Sequence, residues 1–166
     1  PKYLHVNHAG ARAALTIYKG QLAVLRVHPQ AAEIQSMIEH EREHLHAFDT
    51  LLNDHKIRPF LLYPVSGAAV YILGKATAAL GPKAAMACTI AVEEVVGAHY
   101  NRQVQDLNSR QEEPKLVETL IRFRDEGLEH RNIAVEQDVR QVPANDLMKA
   151  IIQAGCKTAI KMAEKI

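Results

Sequence analysis

Glu41 and His44 are the residues of this chain with the clearest capacity for chemistry. They form Glu-x-x-His inside the run Glu39-His-Glu-Arg-Glu-His44, and on a helix residues three apart share a face. A carboxylate and an imidazole one turn apart suit metal ligation or proton transfer, since imidazole is both a proton carrier and the commonest metal ligand. The chain carries nine histidines. His130, which sits in a second inward stripe, and Glu93, in a third, extend the set. Taken alone, the Glu39–His44 run also fits a solvated charged face. The order of elements along the chain argues against that bland reading.

Those elements are helical. Pro29, Pro59, Pro64, Gly81-Pro82, Pro114 and Pro143 fall between periodic segments, where proline opens or stops a helix. They predict helices near 7–27, 30–55, 64–80, 83–109, 114–139 and 144–165. Period-2 runs and Asn-Gly hairpins, the marks of strands, are not seen. Four helices carry apolar residues at three- and four-residue spacing. The stripes are Ala11, Leu15, Tyr18, Leu22, Leu25; Ile34, Ile38, Glu41, His44, Phe48, Leu52; Met86, Ile90, Glu93, Gly97, Tyr100, Val104, Leu107; and Leu116, Leu120, Phe123, Gly127, His130, Ala134. Ionisable residues interrupt three of the four. A buried carboxylate without a partner costs on the order of several kcal/mol, so these positions need a metal, a counter-charge or a neutral form. One Glu from each of two helices plus Glu-x-x-His from each of two others is the plan of the ferritin-like di-iron carboxylate bundles. An all-α, ferritin-like bundle is therefore expected, as one domain over residues 1–166.

Composition sets the limits around that site. The chain has 166 residues, 48% of them apolar and 23% charged, with a formal net charge of +1. Neither the charge nor any Lys/Arg block supports nucleic-acid binding. Cys88 and Cys156 lie in apolar helical patterns with no paired spacing, so two reduced thiols are expected. The sequence starts at Pro1 without an initiator Met or a leader, which points to a processed precursor or a fragment. Phe60 to Leu80 is uncharged until Lys75 and broken by Pro64, Gly67 and Gly74. It is too short and broken for a membrane span and reads as a buried or membrane-interfacial helix. Leu147 to Ile166 is amphipathic, with Lys149, Lys157, Lys161 and Lys165. It fits either a packed surface helix with a solvated lysine face or a membrane contact.

At these residues the chain resembles the demethoxyubiquinone hydroxylases over almost its whole length. The shared segments include Val6-Asn-His-Ala-Gly10, Ile17-Tyr-Lys-Gly-Gln-Leu-Ala-Val-Leu25, Ala85-Met-Ala-Cys-Thr-Ile-Ala-Val-Glu-Glu94, His99-Tyr100-Asn101, Phe123-Arg-Asp-Glu126, Glu129-His130 and Ile151-Ile-Gln-Ala-Gly-Cys-Lys157. The resemblance implies a di-iron monooxygenase of ubiquinone synthesis on the matrix face of the mitochondrial inner membrane, working with a lipid-binding partner in a larger assembly. It implies that Glu41, His44, Glu93 and His130 match metal ligands and that Tyr100 lies by the substrate. It also implies two vacancies. The family's first-helix Glu falls on Ala11, and the Glu of its second Glu-x-x-His falls on Gly127. His5, Asn7, Arg131 and Asn132 depart from the family pattern as well.

With two carboxylates missing, a pair of irons has too few anionic oxygens. The sequence therefore leads to the expectation of a metal-free Glu–His cluster in which protonated His44 and His130 neutralise Glu41 and Glu93. Two rescue arrangements stay open: a single iron on the remaining four ligands, or Glu126 turning inward as a substitute. Gly127 in mid-helix costs about 1 kcal/mol relative to alanine, which marks relaxed selection or a close approach by another group. The functional expectation is a catalytically inactive structural or quinone/lipid-binding subunit of a mitochondrial inner-membrane assembly. The alternative is an active 5-demethoxyubiquinone hydroxylase with an unusual metal centre.

Overall fold

The computed structural model describes residues 2–58, 63–137 and 145–164. They form six helices: α1 Lys2–Leu25, α2 Ala31–Asp54, α3 Tyr63–Ala79, α4 Pro82–Arg110, α5 Pro114–Glu136 and α6 Asn145–Ala163. No strand occurs among the described residues, as the missing period-2 pattern predicts. Pro82 and Pro114 each occupy the first turn of their helix, where the missing N–H costs nothing. Gly81 has φ 119°, a value that disfavours any side chain, and so allows the sharp turn from α3 into α4. Helix α1 begins five residues earlier than the punctuation suggests. Leu4 and Val6 are buried there, and the Tyr3 hydroxyl donates to Asp106 on α4, so tertiary contacts extend the helix beyond its sequence signal. Phe60 to Leu62, Pro143 and Lys165 lie outside the described residues.

Helix α4 is the axis of the bundle. Every residue from Ala84 to Glu93 is buried, because α1, α3, α5 and α6 all pack against it. Small side chains at Ala84, Ala85, Ala87 and Ala91 let those neighbours approach. The apolar interior has two parts. One is built on Tyr18, Ile34, Met37, Ile38, Met86 and Ile90; the other on Leu4, Phe48, Leu52, Tyr100, Leu120 and Phe123. Each ionisable interruption falls at the junction: Glu41 between Ile38 and Phe48, Glu93 between Ile90 and Tyr100, His130 between Phe123 and Ala134. The site is thus fixed by apolar packing above and below it.

Cys88 and Cys156 are free thiols. Burial pushes the Cys88 thiol up to about 12, which keeps it protonated and unreactive. No helix is long and apolar enough to cross a membrane among the described residues. Helix α6 buries Ile152 and Ala163 while leaving Leu147, Ile151 and Met162 in solvent. Its Gln153 donates to Glu94 at 2.8 Å, which ties it to α4.

Helix α3 is held to α1 by glycine. A Cβ built on Gly74 would lie 2.1 Å from the Ile17 carbonyl oxygen, and one on Gly20 would lie 2.4 Å from the Tyr71 carbonyl oxygen. Both obstacles are backbone and cannot yield. The Gly74→Ala variant should therefore lose about 1–3 kcal/mol of unfolding free energy through overpacking. Gly155→Ala, in open space on α6, should gain up to about 1 kcal/mol from helix propensity. Urea denaturation of the two variants beside wild type checks both signs.

Candidate metal centre

Three helices, α2, α4 and α5, bring the predicted ligands together. Glu41, Glu93 and His130 are 4%, 4% and 1% exposed, and one ligand atom from each lies within 4.8 Å of the other two. His130 Nδ1 is 3.2 Å from Glu93 Oε1. His44 is buried beside them, its Nδ1 3.3 Å from Glu41 Oε2. The charged-face reading of the Glu39–His44 run is correct for Glu39, Arg42 and Glu43, which are exposed, and wrong for Glu41 and His44.

The two histidines are used alike. Each turns Nδ1 inward to a glutamate and Nε2 outward to a fixed partner. His44 Nε2 donates to Glu126 Oε2 at 2.5 Å, and His130 Nε2 is 2.9 Å from His40 Nδ1. Outer partners of this kind orient metal-binding imidazoles and set their tautomer. Glu126 consequently does not turn inward as a substitute ligand; it holds His44 from behind.

Burial governs the protonation of the set. It raises the Glu41 carboxyl above its usual range, against the opposing pull of His44. Burial alone would lower His44 and His130, yet both are raised. Glu41 and Glu126 outweigh it for His44, and Glu93 with Glu41 for His130. Tyr18 and Tyr100 are pushed well above the ordinary phenol value, chiefly by burial and then by the two glutamates. Both stay protonated donors.

Ala11 and Gly127 also reach the centre. They line one small cavity of about 10 Å³ together with Glu41, His44, Glu93 and Tyr100. A Cβ on Gly127 would meet Glu93 Oε2 at 2.7 Å. The mid-helix glycine therefore marks a close approach, and the approaching group is a carboxylate. Two residues escape a reading of the sequence alone. Tyr18 looks like one more apolar stripe position, but its hydroxyl donates to Glu93 Oε1. His40 lies off the stripe and half-exposed, yet it backs His130. Its spacing of four from His44 was the available signal. Of the departures from the family pattern, Asn7 is buried in a reciprocal amide pair with Gln103, at 2.8 and 2.9 Å. Arg131 reaches Glu94 at 3.2 Å.

Four helices closing on a buried carboxylate–histidine cluster define a helical-bundle protein with a carboxylate-type centre. More particularly, the chain belongs to the family described as ubiquinone biosynthesis protein COQ7, whose profile matches residues 1–163. It is 41% identical to the NADPH-dependent 3-demethoxyubiquinone 3-hydroxylase, mitochondrial, of Bos taurus, across 99% of this chain and 77% of the relative. The protein of the same name from Caenorhabditis elegans is 44% identical, across 99% and 89%. The 3-demethoxyubiquinol 3-hydroxylase of Rhodospirillum rubrum is 42% identical, across 99% and 77%.

These findings overturn the expectation of a catalytically inactive subunit. The resemblance to hydroxylases runs end to end, and the relatives that share it are named for the reaction. The expectation of a centre without metal has no support either, since Glu41, Glu93 and His130 present converging donor atoms that could hold an ion. A pair of irons, which the resemblance implies, does not fit this donor set. Two carboxylates balance one divalent ion, positions 11 and 127 supply no oxygen, and Glu93 fills the space where a side chain at 127 would begin.

The raised histidines give the metal-free chain a pH signature. A pKa raised on folding contributes stability that is complete below the ordinary value of 6.5 and is lost as pH rises through the folded value. His44→Gln should therefore destabilise the metal-free protein more at about pH 6 than at about pH 8.5. Denaturant titrations in the presence of a chelator at the two pH values measure the difference.

Proposed function

We propose that this chain is a 3-demethoxyubiquinone hydroxylase. It places a hydroxyl on the ring of a demethoxylated quinone, taking one oxygen atom from dioxygen and reducing equivalents from NADPH. The other oxygen atom leaves as water. What carries the reading is the end-to-end identity of 41–44% to hydroxylases, together with the burial of Glu41, His44, Glu93 and His130 around one point.

The chain's own residues support ring binding beside that point. Ala11, Ala14, Val96, Gly97, Tyr100 and Phe123 line the cavity beside Glu41, His44, Glu93 and Arg124. They are small or apolar, which suits a quinone ring, and the cavity, about 10 Å³ here, has to widen to admit one. Tyr100 keeps its proton and donates a hydrogen bond to a ring oxygen, which fixes the face presented to the centre. Apolar walls also exclude water, and so strengthen every polar contact inside. Tyr71 and Ile72 on α3, and Leu147, Ile151 and Met162 on α6, are exposed, with Lys157 and Lys161 also exposed on α6. This mixture suits docking on an anionic membrane surface, from which a lipid-tailed quinone is drawn. The mitochondrial names of several relatives support a mitochondrial setting; the matrix side of the inner membrane, and a larger biosynthetic assembly with a lipid-binding partner, belong to the same proposal.

Purified protein supplied with ferrous iron, NADPH, oxygen and a short-chain demethoxyquinone should yield a product heavier by one oxygen. Tyr100→Phe should raise KM more than it lowers kcat. No product by mass spectrometry, with the Bos taurus relative active in parallel, would sink the proposal.

A further inference from the structure

The donor set is unequal in its two halves. On one side Glu41, Glu93 and His130 converge, all three almost out of water. Tyr18 donates to the Glu93 oxygen that His130 Nδ1 also meets, and His40 meets the outer nitrogen of His130. The inner nitrogen of His130 is thereby aimed at the two carboxylates. On the other side His44 faces Glu41 alone. Among the described residues no second carboxylate is paired with its inner nitrogen: Ala11 and Gly127 line the shared cavity without side-chain donor atoms, and Glu126 is on the outer nitrogen.

Charge points the same way. Two glutamates carry two negative charges, which one divalent cation cancels. A second cation would leave two positive charges uncompensated in an apolar interior, where each is heavily penalised. Geometry agrees. Ligand atoms within 4.8 Å of one another come into range of one ion by small side-chain rotations: ligands at about 2.1 Å lie about 3 Å apart when adjacent and at most about 4.2 Å apart when opposite.

We propose that the chain holds a single divalent cation, on Glu41, Glu93 and His130, and that His44 stands beside this centre as a positioning residue locked by Glu126. Histidine and carboxylate ligands with coordination positions left open are the donor chemistry of mononuclear ferrous oxygenases. The inference therefore deepens the hydroxylase reading on which it rests, by naming the kind of centre that would serve it. It differs from the paired centre that the family resemblance implies.

Metal counting, not turnover, tests it. Manganese titrated into chelator-treated full-length chain should bind at one ion per chain and give an electron paramagnetic resonance spectrum without exchange coupling. His40→Phe, which removes the outer partner of His130 at a half-exposed position, should weaken binding about 10–100-fold. Glu126→Gln, which touches only His44, should leave affinity close to wild type. Two ions per chain with a coupled spectrum, no binding by wild type, or equal losses in the two variants would each overturn the proposal. Two ions with turnover would remove this inference and leave the hydroxylase standing; one ion without turnover would do the reverse.

Discussion

Two glutamates lie almost wholly out of water in the middle of an apolar bundle, and the arrangement around them is a response to that cost. Transferring an ionised carboxylate into such an interior costs several kcal/mol even after relaxation. Glu41 and Glu93 are each met by an imidazole, and each imidazole is met in turn by a partner nearer the surface. Tyr18 adds a donor to Glu93 from α1. Removing a member of this chain of contacts would leave a buried charge short of a partner. The helices that supply them are thus held in register by electrostatics as well as by packing.

Packing does the coarse placement. The two apolar clusters above and below the site hold α1, α2, α4 and α5 at fixed heights, so that Glu41, Glu93 and His130 arrive at the same level. Helix α4 makes this possible. Its run from Ala84 to Glu93 is buried on all sides, which places Glu93 at the centre of the molecule and leaves its carboxylate no route to water. The outer partners, by contrast, sit where the bundle is thin: Glu126 and His40 are both half-exposed.

The sequence made the fold legible because its signals were local. Proline punctuation and three- to four-residue stripes located all six helices, and the residues missed at the start of α1 are those held by the distant Asp106. The inward ligands were legible for the same reason: an ionisable residue in an apolar stripe stands out. Tyr18 and His40 were not legible. Tyr18 fits its stripe as an apolar residue, and only the position of Glu93 on another helix gives its hydroxyl a role. His40 lies off the stripe, and its importance depends on the direction in which His130 points. For Glu126 the spacing left open a turn inward as a substitute ligand. The structure shows that spacing fixes the side of the helix but not which nitrogen of a neighbouring imidazole is met. The functional reading failed at another level. Missing carboxylates were taken as lost activity, although ligand counting by itself does not distinguish an empty site from a smaller one.

Gly127 shows why that distinction is physical. Were the site merely eroding, any small residue would serve at this position, and alanine would be favoured in mid-helix by about 1 kcal/mol. Here an alanine Cβ would stand 2.7 Å from Glu93 Oε2, so the end of the Glu93 side chain would have to move. Glu93 has taken up the room that a side chain at 127 would need, and Tyr18 and His130 hold its other oxygen. The glycine and the orientation of Glu93 are therefore one feature. A carboxylate held in that direction keeps one oxygen on Tyr18 and His130 and turns the other to Gly127, so a side chain at 127 would disturb the Glu41–Glu93–His130 group.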